Sequence, residues 1–254
     1  MTRGDNRREW EELSGFWIDR CRKGESNREG MLDRSMFEVI GPVTDLRIVD
    51  ICCGEGRFVR QLASGGASVV LGLDLCPPLL FESHRLRESD VELYLIADAA
   101  NLPLLDGSFD LAISYVSLVD IPDLDAAIES AYRVLKSCGR FVVCNLAPMA
   151  TSVNRRITEP DGSRIAIRVD NYFDETSRIS RFGELTLTNY HRSLATHIAS
   201  FLGAGFSVRG LVEPRPNPDE LDRFPDLANE LRAPSFIIYD LKKQASRTFS
   251  GTEC

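Results

Sequence analysis

The sequence predicts an α/β protein built on a doubly wound parallel sheet, and three observations carry that expectation. Short apolar runs alternate with helical periodicity between residues 46 and 144, as when strands are buried on both faces by crossover helices. The first run, 46–51, contains Asp50 and leads through Gly54 and Gly56 into a helical pattern, which reads as strand, tight turn and helix N-terminus. Acids recur at or just after the next two strand ends, at Asp74 and Asp98.

The elements follow in order. Residues 1–43 read as a helical cap in which Trp10, Leu13, Phe16 and Trp17 share one side of a helix that packs on the core and lids a ligand. A loop at 22–28 precedes a second helix from Met31 to Ile40, ended by Gly41-Pro42. Strand one spans 46–51, and Phe58 and Leu62 mark the inner face of the next helix. Strand two spans 68–74, and Pro77-Pro78 opens the following helix, where an N–H would be unpaired in any case. Strand three spans 91–97. Strand four, 109–114, is entered through Asp106-Gly107.

Asp123 or Asp125 caps a helix with Ala127, Ile128, Ala131, Val134 and Leu135 inward; Cys138-Gly139 stops it, and strand five spans 140–144. Residues 147–190 break the alternation. There, 165–169 and 184–188 have β composition, with Asp161-Gly162 as a hairpin turn. Ser193 caps a helix with Leu194, Ile198, Phe201 and Leu202 on one face, stopped by Gly203-Ala204-Gly205. Residues 206–212 and 235–241 are the last strands, joined by a proline-rich loop, 213–234, of a length that often covers a site. The expected organisation is a single domain over 1–254. It comprises the cap (1–43), a ligand-binding core (44–146), a β insertion that caps the substrate (147–192), the last helix and strands (193–242) and a tail (243–254).

Composition narrows the class. The chain has 254 residues, 43% hydrophobic and 27% charged, which suits a soluble domain with a real core. Its net charge of −8 argues against a nucleic-acid partner, because such proteins show a basic face. Arg3, Arg7, Arg8, Arg20, Arg22 and Lys23 cluster near the N-terminus, but Glu9, Glu11, Glu12 and Asp19 interleave with them, as on a solvated helix face. The apolar runs are strand length and no signal-peptide pattern opens the chain, so a cytoplasmic protein without membrane spans is expected. Seven cysteines include no CxxC pair. The adjacent Cys52 and Cys53 and the odd total fit reduced thiols, with Cys21, Cys76, Cys138 and Cys144 in core or loops and Cys254 in the tail.

In an open α/β sheet the ligand crevice lies outside the carboxyl ends of the strands, where Asp50, Asp74 and Asp98 fall in succession. Asp74 lies near the roughly 20-residue offset at which an acid binds ribose hydroxyls, and its two oxygens accept from both. Asp98 with the N–H of Ala99 matches an adenine amino group and ring nitrogen. Asp50 suits a cationic group. Gly54 and Gly56 let the backbone approach a ligand closely. The dinucleotide fingerprint needs a third glycine three positions on, where Val59 stands. A nicotinamide oxidoreductase therefore fits poorly, and a phosphate-free adenosine ligand fits better.

These motifs belong to a larger set. Leu46-Arg47-Ile48-Val49-Asp50-Ile51-Cys52-Cys53-Gly54-Glu55-Gly56-Arg57, Val70-Leu71-Gly72-Leu73-Asp74, Ala97-Asp98-Ala99-Ala100-Asn101-Leu102-Pro103-Leu104, Gly107-Ser108-Phe109-Asp110-Leu111 and Arg133-Val134-Leu135-Lys136 resemble successive motifs of the class I S-adenosylmethionine-dependent methyltransferases. They resemble the small-molecule branch, described as type 11 or ubiquinone-biosynthesis-like. Gly24-Glu25-Ser26-Asn27-Arg28 is similar to a Gly-Asp-x-Asn-Arg element of one subgroup, and His191-Arg192-Ser193-Leu194 with Gly205-Phe206 and Glu213-Pro214 is similar to its C-terminal half. The resemblance implies a Rossmann-like sheet of seven strands with the last antiparallel, and S-adenosyl-L-methionine as cofactor. It also implies that Arg28 pairs with the cofactor's carboxylate, that Tyr115 and Leu118 flank the methyl and adenine, and that Cys52 and Leu75 complete the cofactor wall. Two departures stand out: Cys52 replaces a usual glycine, and Ala147-Pro148 stands where relatives often have His-Pro.

Methyl transfer needs alignment and exclusion of water, and a hydroxyl acceptor also benefits from a base, most often histidine. Of three histidines, His84 is expected at the surface, and His197 mid-helix as a structural residue. His191, before a helix that starts on the cofactor side, is the candidate base. The expected function is methyl transfer to a small organic acceptor, oxygen favoured, with the insertion as a surface for a homodimer. The alternative is a non-catalytic S-adenosylmethionine-binding or regulatory protein of the same fold.

Overall fold

The computed structural model describes residues 3–160, 164–182 and 185–245. Helix α1 (Arg3–Lys23) leads through a single π turn (Arg28–Leu32) into α2 (Asp33–Ile40). Strand and helix then alternate as β1 (Arg47–Ile51), α3 (Arg57–Ser64), β2 (Val69–Asp74), α4 (Pro77–Arg85), β3 (Glu92–Ile96), β4 (Phe109–Tyr115), α5 (Leu124–Val134) and β5 (Leu135–Leu146). A short helix α6 (Pro148–Thr151) opens the insertion, made of β6 (Val153–Thr158), β7 (Arg164–Val169), β8 (Ser177–Phe182) and β9 (Leu185–Tyr190). Then come α7 (Leu194–Gly203), β10 (Phe206–Val212), α8 (Pro218–Arg223) and β11 (Phe236–Lys243).

Seven strands form one sheet in the order β10-β11-β5-β4-β1-β2-β3. β1 pairs in parallel with β2 and β4, β2 with β3, and β4 with β5, while β11 runs antiparallel to both of its neighbours. The strand order reverses between β1 and β4, which opens a crevice at their carboxyl ends.

Successive strand residues serve opposite faces. Val49 and Ile51 join Ala112, Ile128, Phe141 and Phe201 on the side of α5 and α7; Ile48, Val70, Ile113 and Val142 join Met36, Phe58 and Leu62 on the other. Each large aliphatic or aromatic side chain so buried contributes about 1.5–3 kcal/mol. Burial on both faces is why these strands read as continuous apolar runs.

Several expected details shift. The side chain of Asp123 accepts from the N–H of Ala126 at the start of α5, as expected of one of its two candidate caps, but the helix ends at Val134. Cys138, with φ of 64°, falls where β5 bulges against β4 and does not stop a helix. Cys138 is disulfide-bonded, which corrects the expectation of a reduced thiol there; Cys21, Cys52, Cys53, Cys76 and Cys144 are free. Helix α7 starts at Ser193, whose side chain accepts from the N–H of Thr196, but its inner face carries His197 and Phe201, leaving Leu194 and Leu202 exposed. In α1 the inner stripe passes through Leu13 and Ser14, so Phe16 turns to solvent.

The insertion is two separate two-stranded sheets, β6 with β7 and β8 with β9. Strands β7 and β9 match the two β segments read from composition, while the Asp161-Gly162 turn and Glu184 lie outside the described residues. The span 213–234 is less loop than expected. Asn217 makes a reciprocal cap with Glu220 at the start of α8, and a 3-10 segment (Pro225–Leu231) follows. Pro218 and Pro225 begin helical turns here, a position proline suits. This segment closes on the π turn, where a side chain on Gly30 would come within 2.6 Å of Phe224 and 2.7 Å of Leu227.

Candidate functional site

The crevice is a cavity with about 800 Å³ of empty space, counted out to its solvent mouth, in the range of small-ligand pockets. Its floor is Asp50 and the β1–α3 turn with Cys52 and Gly54; its sides are Asp74 and Leu75 after β2 and Tyr115 to Ser117 after β4. Asn6, Trp10 and Trp17 of α1 cover it, and Arg28 enters from the π turn. The helix therefore lies over the crevice as a lid.

Local geometry explains the turn. The left-handed φ of 59° at Cys52 is the conformation that makes glycine usual in this position. Gly56 has φ of 79°, and a side chain there would lie 2.7 Å from the Tyr94 hydroxyl. Val116, on the opposite wall, also has positive φ, 56°, which is uncommon for a β-branched residue. Its N–H donates to the Cys144 carbonyl at 2.7 Å, which helps fix the strand exit.

Asp50 and Asp74 dominate the electrostatics. Asp74 Oδ2 accepts from the Gly54 N–H at 2.8 Å and Oδ1 from the Cys76 N–H at 2.9 Å, so its carboxylate organises the turn. Burial still raises it above the ordinary carboxylate value, opposed by those amides. Asp50 is 1% exposed, and its Oδ1 has no hydrogen-bond partner among the described residues. Burial, reinforced by Asp74, pushes Asp50 up to about 8, against the pull of Arg28 and Arg57. A buried, unsatisfied carboxyl oxygen is costly. A cation donating to it would relieve that cost.

Arg28 is held by Glu25 at 3.2 Å and stacks over Trp17, 5.0 Å from the ring centroid, and Tyr115, 5.8 Å away. Tyr115 is fixed in turn: its hydroxyl donates to Asp33 Oδ1 at 2.8 Å, and Arg57 grips both oxygens of Asp33 at 2.6 and 2.8 Å.

A second, larger cavity of about 1730 Å³ adjoins the first and shares Trp10, Trp17, Arg28, Val116 and Asp120 with it. Its far walls are the insertion, with Ser180, Leu187 and Asn189, and the span after β10, with Asn229 and Glu230. Asp120 stands on the shared wall. Asn189 donates to its Oδ1, Ser180 donates to Asn189, and Asn6 donates to the Asp120 carbonyl at 2.9 Å. Burial pushes its carboxyl up to about 8.

The structure brings Arg28, Asp50, Cys52, Gly54, Asp74, Leu75 and Tyr115 together around the first cavity. Gly56, Asp98, Ala99 and Leu118 do not line it. Asp98 follows β3 and accepts from the Ala100 N–H at 2.9 Å, and Leu118 is a core residue, 1% exposed. His191 reaches neither cavity. Its Nε2 donates to the Tyr172 carbonyl at 2.8 Å, its Nδ1 lies 2.6 Å from the Thr151 hydroxyl, and the ring is buried. Both nitrogens are engaged in contacts that tie the insertion together. His197 is structural as expected, stacked on Tyr239, and burial lowers it to about 4.

Asn6, Asn189 and Asp120 were not read from the sequence. Asp120 had a signal, since it is one more acid just beyond a strand end; Asn189 had none, because its place depends on how a hairpin folds back.

The methyltransferase domain family model matches residues 49–143. The ubiquinone/menaquinone biosynthesis C-methyltransferase of Rickettsia typhi is 30% identical over 110 residues, covering 40% of this chain and 44% of the relative. An O-methyltransferase of Aspergillus sclerotiorum is 29% identical over 139 residues, covering 52% of each. The chain thus spans about half the length of these curated relatives. The crystal structure of an S-adenosylmethionine dependent methyltransferase from Mesorhizobium loti superposes with a TM-score of 0.77 at 27% identity, covering 87% of this chain and 99% of that one. In its sheet order, its crevice and these likenesses, the chain is similar to the class I S-adenosylmethionine-dependent methyltransferases, and its residues 49–143 match their methyltransferase domain.

Proposed function

We propose that the chain transfers the methyl group of S-adenosyl-L-methionine to a small organic acceptor, with oxygen as the favoured receiving atom. The observation that carries this reading is the pair of cavities meeting at a wall of Trp10, Trp17, Arg28, Val116 and Asp120. One cavity suits an adenosine ligand with a cationic end, and the other is a chamber of mixed polarity, where Leu32, Leu146 and Phe236 face Ser180 and Asn229.

The residues present fit the cofactor. The unpartnered Oδ1 of Asp50 supports an amino group there, Arg28 a carboxylate, and Asp74 with Leu75 the ribose. Cys52 and Gly54 give backbone to the wall, Gly56 holds the turn, Tyr115 flanks the sulfur side, and Asp98 with Ala99 at the neighbouring strand end is assigned to the adenine edge. Leu118 acts only through the core. When bound, the cofactor supplies an electrophilic methyl group on a sulfonium. The chain's own work is alignment and exclusion of water: α1 closes the crevice, and Trp10 and Trp17, whose ring centroids lie 5.6 Å apart edge to face, wall the junction. Among the described residues no helix is long and apolar enough to cross a membrane, and the net charge of −8 favours a small acceptor over nucleic acid.

Calorimetry tests the reading. Both S-adenosylmethionine and S-adenosylhomocysteine are expected to bind at one site per chain, and Asp50→Ala is expected to weaken both by about tenfold or more through loss of a charged hydrogen bond. Binding of NAD with neither of them would overturn it. Donor binding without turnover of any phenol, alcohol, acid or amine would favour the non-catalytic alternative.

A further inference from the structure

Resting on the reading above, we propose that Asp120 Oδ2 is the proton acceptor for the incoming nucleophile, and that the acceptor is a neutral hydroxyl compound, a phenol or alcohol, not a pre-formed anion. Three observations lead there. Among the described residues, Asp120 is the one carboxyl on the wall that both cavities share. It is 8% exposed, so its carboxyl is almost entirely withdrawn from bulk water. It is also held from two sides, since Asn189 occupies Oδ1 and Asn6 fixes the main chain, while Oδ2 has no hydrogen-bond partner among the described residues.

The chain Ser180, Asn189, Asp120 gives this position direction. The Ser180 hydroxyl donates to the Asn189 carbonyl oxygen, which commits the Asn189 amide to Asp120 Oδ1 and leaves Oδ2 for another donor. Ser180 and Asn189 both line the larger cavity. Asn189 is a positioning residue.

The balance is that of a displacement. The acceptor oxygen forms a bond to the methyl carbon, the donor's sulfur keeps the electron pair of the bond it loses, and the hydroxyl proton passes to Asp120 Oδ2 and then to solvent. A carboxylate at this wall repels an acceptor that arrives as an anion and welcomes one that brings a proton. The charged and titratable groups around it are Glu9 of α1, Asp74 after β2 and Cys52 of the β1–α3 turn, with Arg28 on the same wall. Arg192 binds the carbonyls of Leu118, Ile121 and Pro122 on either side of Asp120. Burial, reinforced by Asp74 and Glu9, raises the carboxyl against the hydrogen bond from Asn189, which suits a base working near neutral pH or slightly above.

The test uses the full chain saturated with S-adenosylhomocysteine and two probes at about pH 9, where phenol keeps its proton and 4-nitrophenol has lost its own. The wild type is expected to bind phenol at least about tenfold more tightly than 4-nitrophenolate. Asp120→Asn, which keeps the shape and removes the charge, is expected to lose or reverse that preference while its affinity for S-adenosylhomocysteine stays within about twofold. With any phenol that is turned over, the same variant is expected to lose about 100-fold or more in kcat and the alkaline rise of its pH profile. An unchanged preference in Asp120→Asn, a wild type that prefers the phenolate, or one that binds S-adenosylhomocysteine but neither probe would overturn the inference and leave the cofactor reading standing. Loss of S-adenosylhomocysteine binding by the wild type removes both. Should Asp120→Asn not fold, Asp120→Ser removes the same charge and reads the same preference, and a value equal to wild type overturns the base.

Discussion

Glu9 on α1 holds Thr188 on β9 through two hydrogen bonds of 2.9 Å, one from the Thr188 N–H and one from its hydroxyl. The lid helix and the second hairpin are thereby one unit around the junction of the two cavities. Glu9→Ala is expected to destabilise this unit by about 1.5–3 kcal/mol, the range for hydrogen bonds to a charged group. Amide hydrogen exchange is the check: residues 185–190 should exchange faster while β1 and β4 stay protected. Equal acceleration throughout the sheet would mean that the pair supports the whole fold, not the lid.

The Arg57–Asp33–Tyr115 set anchors the opposite wall. Asp33 receives two bonds from Arg57 and one from Tyr115, all from partly buried groups, so removing the carboxylate strands a guanidinium. Asp33→Ala is expected to lose about 3–5 kcal/mol, against about 1 kcal/mol for Tyr115→Phe, which removes one hydroxyl. Denaturant midpoints of the two variants measure the difference; equal losses would contradict the arrangement.

The sheet was legible because its signals are local. Each parallel strand is a short, mainly apolar run, and Pro77, Asp123 and Ser193 mark helix starts by their own chemistry. Asp50 and Asp74 were legible as crevice-lining residues for the same reason, since a strand end in this topology faces the crevice. β6 and β8 were not. Their sequences, Val153-Asn154-Arg155-Arg156-Ile157-Thr158 and Ser177-Arg178-Ile179-Ser180-Arg181-Phe182, carry too many arginines to read as buried strands. The surroundings of His191 were not legible either: its sequence neighbourhood points to the cofactor side, while its ring bonds to Tyr172 and Thr151, contacts of the folded insertion that no spacing encodes.

That commitment has its own consequence. His191→Ala removes a ring whose two nitrogens are both bonded inside the insertion, so the expected loss is about 1–3 kcal/mol of stability with donor affinity unchanged. The pH profile of methyl transfer should keep its shape. A large loss of kcat in this variant with stability and donor affinity retained would place His191 in the chemistry.

Cys52 adopts a left-handed φ of 59° without being glycine, a conformation costing an L-residue roughly 1–2 kcal/mol. Cys52→Gly relieves that strain and gives some of it back as unfolded-state entropy. A net gain of up to about 1 kcal/mol is expected, with S-adenosylhomocysteine affinity retained, because the residue is proposed to contribute backbone. A large affinity loss would instead assign the thiol a contact with the ligand.

Asp50 and Asp120 together set the pH dependence of the ligand-free protein. Burial holds both carboxyls at about 8 in the fold, against an ordinary value of 3.8. Between those values the folded chain keeps protons that the unfolded chain has released, so the slope of stability with pH is negative. This contribution is fully present below 3.8 and is lost as pH rises through about 8. Other groups act in the opposite sense at the acid end: Arg85 and Arg22 hold Glu82 down at about 2, and its contribution is lost only as pH falls through that value. The thermal midpoint should therefore fall from about pH 5 to about pH 8.5 and then level off, and Asp50→Asn should flatten the fall. S-adenosylhomocysteine, through its cationic amino group, should stabilise the wild type more at the alkaline end, where Asp50 is ionised, and lose that pH dependence in Asp50→Asn. If the wild-type and Asp50→Asn midpoints trace parallel curves with and without the ligand, the buried carboxyl of Asp50 neither titrates in this window nor meets the amino group.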